Sequence, residues 1–307
     1  MRTYLPKSST ILLGLLLTVS CTSEAERQNP EVVGRLEDKT IREASGLAHS
    51  QRRKNLFWII NDNGAKEIVH AIDSTGARLG EFDLKKSDNV DWEDLASFTL
   101  GDTAYLMVAD IGDNDAKRDH RTLYFVAEPV PEKDAKAKRD WELDFTYPDG
   151  PRDAEAAAVD VDEQRVLILS KRDRPPQLYS VPIRPEPDEP VVAQFLGNVD
   201  SLEKPSRKDV EFAPKTKDWH WQPVGMDISA NGAAAVILTY RYVYYYRRNA
   251  GEDWLQTLNS VPARISLGNF ENAESVSFGE DEWTVYVTGE DKHARLLRID
   301  FSGVQKQ

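Results

Sequence analysis

One cysteine in 307 residues, Cys21, leaves no internal disulfide to hold the fold together. The five histidines, His49, His70, His120, His220 and His293, are scattered without metal-ligand spacing, which argues against a zinc centre. No G-x-S-x-G, no H-E-x-x-H and no phosphate-cradling glycine loop is present, so these signatures of nucleophilic, zinc-dependent and P-loop chemistry are missing. Positive charge is in deficit: 39 Lys and Arg stand against 52 Asp and Glu, a formal charge of -13. That surplus repels nucleic acid and anionic lipid, and suits cations or solubility. What is present is a core: 40% of the residues are hydrophobic and 9% aromatic, too many for a disordered chain.

The first thirty residues read as an address. Arg2 and Lys7 precede an apolar run, Ile11 to Leu17, that is too short to span a bilayer. Thr18-Val19-Ser20 then lead into Cys21, the layout of a secretory signal over 1–20. The small residue before Cys21 resembles a lipobox, with Thr18 where leucine is usual; an ordinary signal peptide with an incidental cysteine is the alternative. The expectation is a lipidated Cys21 and polar tether over 21–30, holding a domain of 31–307 to a membrane of the bacterial cell envelope, on its periplasmic or extracellular face.

A phrase recurs along the domain. An acidic or polar start leads into a short strand, a tight turn, and an apolar strand ending in polar residues. The fullest copy is Asp91-Trp92-Glu93-Asp94-Leu95-Ala96, answered by Tyr105 to Asn114. Other copies begin at Glu43, Ala154, Val224 and Ala273. Each is followed by two further strand-like runs, except that the last has one. In the third copy the outermost run is Val191 to Leu196, in the fourth Val261 to Leu267. Four short strands per unit predict an all-β, five-bladed β-propeller. Val32 to Leu36 is placed to supply the missing strand and close the ring. A polar insertion at 201–221, ending in Trp219 and Trp221, interrupts the rhythm as a lid or a passive loop.

In such a ring the starts of the first strands and the ends of the second strands meet at one mouth of the channel. Aligning the copies on Leu47, Leu95, Ala157, Ile228 and Val276 places Ser45, Glu93, Glu155, Met226 and Glu274 on one inner ring. Three converging carboxylates call for a cation, and hard oxygen donors suit calcium better than magnesium or zinc; a wet tunnel lined by glutamates is the bland alternative. The second ring offers Asn61, Asp110, Asn114, Lys171, Arg172 and Arg241 as ligand-binding groups, with Tyr240 and Glu290 beside them and Asp62 or Asp113 to orient a water. The Asp110 to Asn114 cluster, the densest, is a candidate for a second ion.

The inner ring resembles that of the five-bladed calcium-binding propellers of the apyrase, or calcium-activated nucleotidase, family. The resemblance implies a central calcium on Ser45, Glu93, Glu155 and Glu274. Met226 departs from that pattern, where serine is expected, and the family's nucleotide-contacting loops are not found. The phrases from Trp92 to Asn114 and Tyr124 to Pro129 resemble secreted bacterial β-propeller lipoproteins grouped with phytase-like and WD40-like sets, which implies fold and address but no activity. Two functions follow as expectations: a calcium-centred ligand-binding or scaffold protein whose partner is a small anion or an envelope protein, not nucleic acid; or a calcium-dependent phosphohydrolase or esterase at the channel mouth. A propeller lactonase fits less well, since its metal site needs a different ligand set.

Overall fold

The computed structural model describes residue 1 and residues 30–303, apart from 63, 132–134, 187–189, 205, 213–220 and 271. The signal segment, Cys21, His220 and Trp219 lie outside the described residues. Strand β1 (Glu31–Arg35) precedes the first blade, which is β2 (Ala44–His49), β3 (Phe57–Asn61), β4 (Ile68–Ile72) and β5 (Arg78–Lys85). Blade two is β6 (Trp92–Leu100), β7 (Thr103–Asp110), β8 (Arg121–Ala127) and, after the excursion β9 (Ala135–Lys138), β10 (Trp141–Thr146). Blade three is β11 (Ala154–Asp160), β12 (Arg165–Ser170), β13 (Gln177–Pro182) and, after β14 (Val191–Val192), β15 (Gln194–Asn198). Helix α1 (Arg207–Phe212) falls in the insertion. Blade four is β16 (Pro223–Ile228), β17 (Ala234–Thr239), β18 (Tyr242–Arg247) and, after α2 (Trp254–Leu258), β19 (Ala263–Ser266). Blade five is β20 (Ala273–Phe278), β21 (Thr284–Gly289), β22 (Arg295–Asp300) and β1.

The chain is therefore a five-bladed β-propeller, and β1 closes the ring by pairing antiparallel with β22, Glu31 opposite Arg298 and Arg35 opposite Arg295. Gly34 permits that closure. A Cβ there would lie 1.8 Å from the Thr75 carbonyl oxygen, so only glycine lets the closing strand lie against blade one's outer turn.

Five apolar wedges, one between each pair of neighbouring blades, form the core. Blades two and three share Phe98, Phe125, Phe145 and Tyr179; blades four and five share Val236, Tyr245, Phe278 and Phe301. The alternation in Tyr242 to Tyr246, expected to be blade packing, divides one strand between two wedges. Val243 and Tyr245 face blade five, while Tyr244 and Tyr246 face blade three. Trp254 of α2 is fully buried in that second wedge.

Two edges differ from the sequence expectation. Val191 and Val192 do not begin blade three's outer strand. They pair in parallel with Phe145 and Thr146 of blade two, and the outer strand starts at Gln194. Likewise β9, in blade two's outer connection, pairs in parallel with β5 of blade one. Both connections reach back to cover the preceding blade's edge, which removes unpaired backbone groups. In blade four the outer strand starts at Ala263, and Val261 is exposed. Among the described residues no helix is long and apolar enough to cross a membrane.

Candidate metal centre

In every blade the pairing between the innermost strand and its neighbour slips by one residue at the same place. The slips fall between Ala44 and Gly46, Trp92 and Asp94, Ala154 and Ala156, Pro223 and Gly225, and Ala273 and Ser275. Such a bulge leaves one residue unpaired and re-aims its side chain. The bulged residues are Ser45, Glu93, Glu155, Val224 and Glu274, so four of the five sequence-predicted ring positions stand. The fifth is corrected: blade four contributes Val224, not Met226. Met226 pairs with Ile237 as Leu47 pairs with Ile59, one layer deeper. Val224 packs into the wedge between blades four and five.

The bulges define two more rings. In four of the blades a residue just past the second strand returns a backbone hydrogen bond to the residue before the inner strand. Asp62 N donates to Glu43 O (2.8 Å), Gly112 N to Asp91 O (3.2 Å), Lys171 N to Asp153 O (3.0 Å) and Glu290 N to Asn272 O (3.0 Å). Blade two alone spends an extra residue there, the fully buried Ile111, so that glycine takes the ring position. The room left by its missing side chain is filled by carboxylates. A Cβ on Gly112 would lie 2.3 Å from Glu93 Oε1 and 2.4 Å from Asp91 Oδ2.

Asp62, Asp91 and Glu93 each offer a carboxylate oxygen, and these atoms all lie within 4.8 Å of one another. Asp91 and Glu93 are buried; Asp62 is half-buried. Burial, then the charges of Asp62 and Asp153, push Asp91 up to about 7. Burial, then Glu155, raises Glu93 well above the usual carboxylate range. Glu155 is pushed up to about 7 by burial, with Lys171 opposing. Glu274 is raised by burial and Glu155, Glu290 by burial and Asp62. The mouth thus concentrates carboxylates that resist ionising together.

Lys171 answers part of this charge. It forms a buried ion pair with Glu155, sits 5.4 Å from the Tyr240 ring centroid, and feels Glu274 and Glu93. Burial lowers its pKa but these glutamates outweigh it, so the ammonium form is favoured. The predicted inner ring therefore converges but divides: Glu155 takes a lysine, while Glu93 joins Asp62 and Asp91. Ser45 donates to the Trp92 carbonyl (2.8 Å), and Ser275 of blade five donates to Ala44 O (2.9 Å). Both are struts to the next blade.

The other predicted site residues are engaged in holding the mouth. Asn61 Oδ1 accepts from Arg42 N (2.9 Å) and Glu43 N (3.2 Å), and its Nδ2 donates to Thr40 O (3.0 Å). Asp110 accepts from Val90 N (3.2 Å) and Asp91 N (3.1 Å) and pairs with Arg118 (2.7 Å), so it positions the segment that presents Asp91. Asp113 accepts from Lys117 N (2.9 Å) and Arg118 N (3.0 Å) and pairs with Arg121. Asn114 accepts from Arg172, whose Nε lies 2.7 Å from Asp153 Oδ2. Arg241 donates to Gly268 O. The dense Asp110 to Asn114 cluster is thus held by backbone amides and arginines.

Sequence reasoning left Asp91 out of the ligand set and passed over Asp94. Asp91 and Glu93 flank Trp92 at the entry to β6, where the bulge at Glu93 lets both carboxylates meet. The same i, i+2 spacing runs through Glu43/Ser45, Asp153/Glu155 and Asn272/Glu274, and that period was the available signal. Asp94, fully buried, lies a layer below. It accepts from Leu95 N (2.8 Å), Ala157 N (2.8 Å) and Met226 N (3.1 Å), joining blades two, three and four.

Replacing Gly112 with alanine is expected to destabilise the protein by about 1–3 kcal/mol, the usual cost of overpacking, because Glu93 and Asp91 must move. Chemical denaturation checks this; an unchanged midpoint would mean the carboxylates are loosely placed.

No family model matches the chain, and no curated protein matches it. Among solved structures it is similar to a luciferin-regenerating enzyme, at 12% identity and a TM-score of 0.48, covering 87% of this chain and 94% of that one. It is also similar to hydrazine synthase of Kuenenia stuttgartiensis, at 10% identity and a TM-score of 0.43, covering 85% and 72%. The five-bladed ring itself rests on the strand pairings described above.

Proposed function

We propose that this propeller binds a calcium ion at the acidic mouth, on Asp62, Asp91 and Glu93, and serves as a ligand-binding or scaffold protein of the bacterial cell envelope, held to the membrane by lipid on Cys21. The observation that carries the reading is the convergence of three carboxylate oxygens within 4.8 Å, two of them from buried residues. All three donors are hard oxygens, which suits calcium's flexible coordination and disfavours zinc. When bound, the ion would supply charge compensation beyond what Lys171, paired with Glu155, provides, and an anionic ligand would complete its coordination. Calorimetric titration is the test: one equivalent of calcium should bind, with affinity lowered in both Asp91→Asn and Glu93→Gln. Equal affinity in these variants would remove the site.

A second reading, a calcium-dependent phosphohydrolase or esterase at the same mouth, is favoured by one feature. A cavity of about 390 Å³ adjoins Glu290 and is also lined by Arg35, Lys292 and Arg295, cations suited to a phosphate or carboxylate. Calcium-dependent phosphate release from a panel of phosphoesters, lost in Glu93→Gln, would support it. A panel without turnover would leave ligand binding alone.

A further inference from the structure

A second group of metal-ligating side chains lies away from the channel, on the outer half of blade one. Asp38 follows the ring-closing strand β1, His70 lies on β4 and Glu81 on β5. One ligand atom from each lies within 4.8 Å of the others. His70 Nδ1 is 3.3 Å from Glu81 Oε2 and 3.6 Å from Asp38 Oδ2. His70 is only 2% exposed, and this nitrogen is buried without a hydrogen-bond partner. Asp38 is buried too. Its Oδ1 is taken by Thr40 N (2.9 Å) and Thr40 Oγ1 (2.6 Å), which leaves Oδ2 for the cluster.

We propose that Asp38, His70 and Glu81 form a binding site for a divalent transition metal of the zinc class, which fastens the ring-closing segment to blade one. A buried imidazole nitrogen that faces two carboxylates without a hydrogen bond is a ligand atom without a partner, and leaving such an atom unsatisfied is costly. One nitrogen and two carboxylate oxygens suit zinc, cobalt or manganese; calcium takes oxygen ligands and is disfavoured. Arg78 is the resident competitor. Its Nε lies 2.8 Å from Asp38 Oδ2 and its Nη2 3.2 Å from Glu81 Oε2. Its side chain is 39% exposed, so it can swing into solvent when a metal takes those oxygens. The location gives the ion a task. Leu36 N donates to Ala294 O of blade five (3.0 Å), and Glu37 N donates to Gly76 O of blade one (3.0 Å). Asp38 is therefore the next link in the segment that joins the two ends of the ring.

The test is cobalt(II) absorption on the calcium-saturated full chain, with zinc as competitor. One equivalent of cobalt should give ligand-field bands that zinc abolishes. His70→Gln should weaken binding about a hundredfold or more, since even groups that only support a ligand account for 10–100-fold. Arg78→Ala should tighten it about tenfold, because a full positive charge no longer competes for the oxygens. Glu93→Gln should leave the bands unchanged, which separates this site from the channel mouth. Should His70→Gln fail to fold, Glu81→Gln provides the same readout at a less buried ligand. Absence of the bands, undiminished affinity in the ligand variants, or no gain in Arg78→Ala would each overturn the proposal.

Discussion

Lys171→Met is expected to lower folding stability by about 3–5 kcal/mol at pH 8 without divalent cations, the range for breaking one side of a buried ion pair. The lysine is 7% exposed and pairs with Glu155, which is 5% exposed. Methionine fills the aliphatic volume but leaves Glu155 buried without its cation, so the carboxyl must either take up a proton or stay charged beside Glu274 and Glu93, and both cost stability at pH 8. Two further results would mark the cause as charge rather than packing. Adding Glu155→Gln to Lys171→Met should recover most of the loss, since a neutral amide no longer needs a cation. The loss should also shrink near pH 5.5, where Glu155, with its pKa near 7, carries a proton. Urea unfolding of the four proteins in the cycle measures this directly. A loss that is the same at both pH values would point to packing.

The second large effect is a reversal of the usual pH dependence. The mouth carboxylates have folded pKa values above their unfolded ones: Asp91 and Glu155 stand near 7, and Glu93, Glu274 and Glu290 are raised. Asp227, deeper in the channel and accepting from Phe278 N (2.8 Å) and Ile228 N (2.8 Å), is pushed up to about 7 by burial. For an acid so shifted, the folded state binds more protons than the unfolded state. Its contribution is fully present below the unfolded pKa and is lost as pH rises through the folded one. The metal-free protein should therefore be most stable near pH 4 and weaken between about pH 4 and 7. For Asp91 alone the loss reaches at most about 4 kcal/mol, from about 1.4 kcal/mol per pH interval. Calcium should flatten the part due to Asp91 and Glu93, because the bound ion keeps them ionised. Below pH 7 its affinity should fall with each proton it must displace. Denaturation midpoints from pH 4.5 to 8.5, with and without calcium, test both statements; metal-free stability that rises steadily to pH 8 would contradict them.

Much of the architecture was legible because each blade repeats a short phrase. The turn signals and the alternation of apolar residues set the inner strands almost to the residue, and the lone strand at Val32 announced the closure. The outer edges were not legible. Val191 reads as an ordinary strand residue whether it pairs within its own blade or with the neighbour, since parallel edge pairing leaves no mark in a two-residue run. The bulge was equally silent in the alignment. Blade four has Pro223-Val224-Gly225-Met226 where blade one has Ala44-Ser45-Gly46-Leu47, and the acid at Asp227 drew the register two residues too far. The glycine shared by those two phrases was the better anchor. At the site, convergence of Glu93, Glu155 and Glu274 follows from symmetry. The partition between Lys171 and the Asp62–Asp91–Glu93 group does not, because it depends on Ile111 moving glycine into the ring.

The central claim is that the mouth is a calcium site, and the most direct measurement is the melting temperature of metal-stripped protein at pH 8, titrated with calcium and separately with magnesium. The account predicts a rise of several degrees with calcium, a smaller one with magnesium, and loss of the calcium effect in both Asp91→Asn and Glu93→Gln. An identical melt with and without calcium, or an equal rise in both variants, would contradict it and leave Asp62, Asp91 and Glu93 as neighbouring carboxyl groups in a solvated mouth.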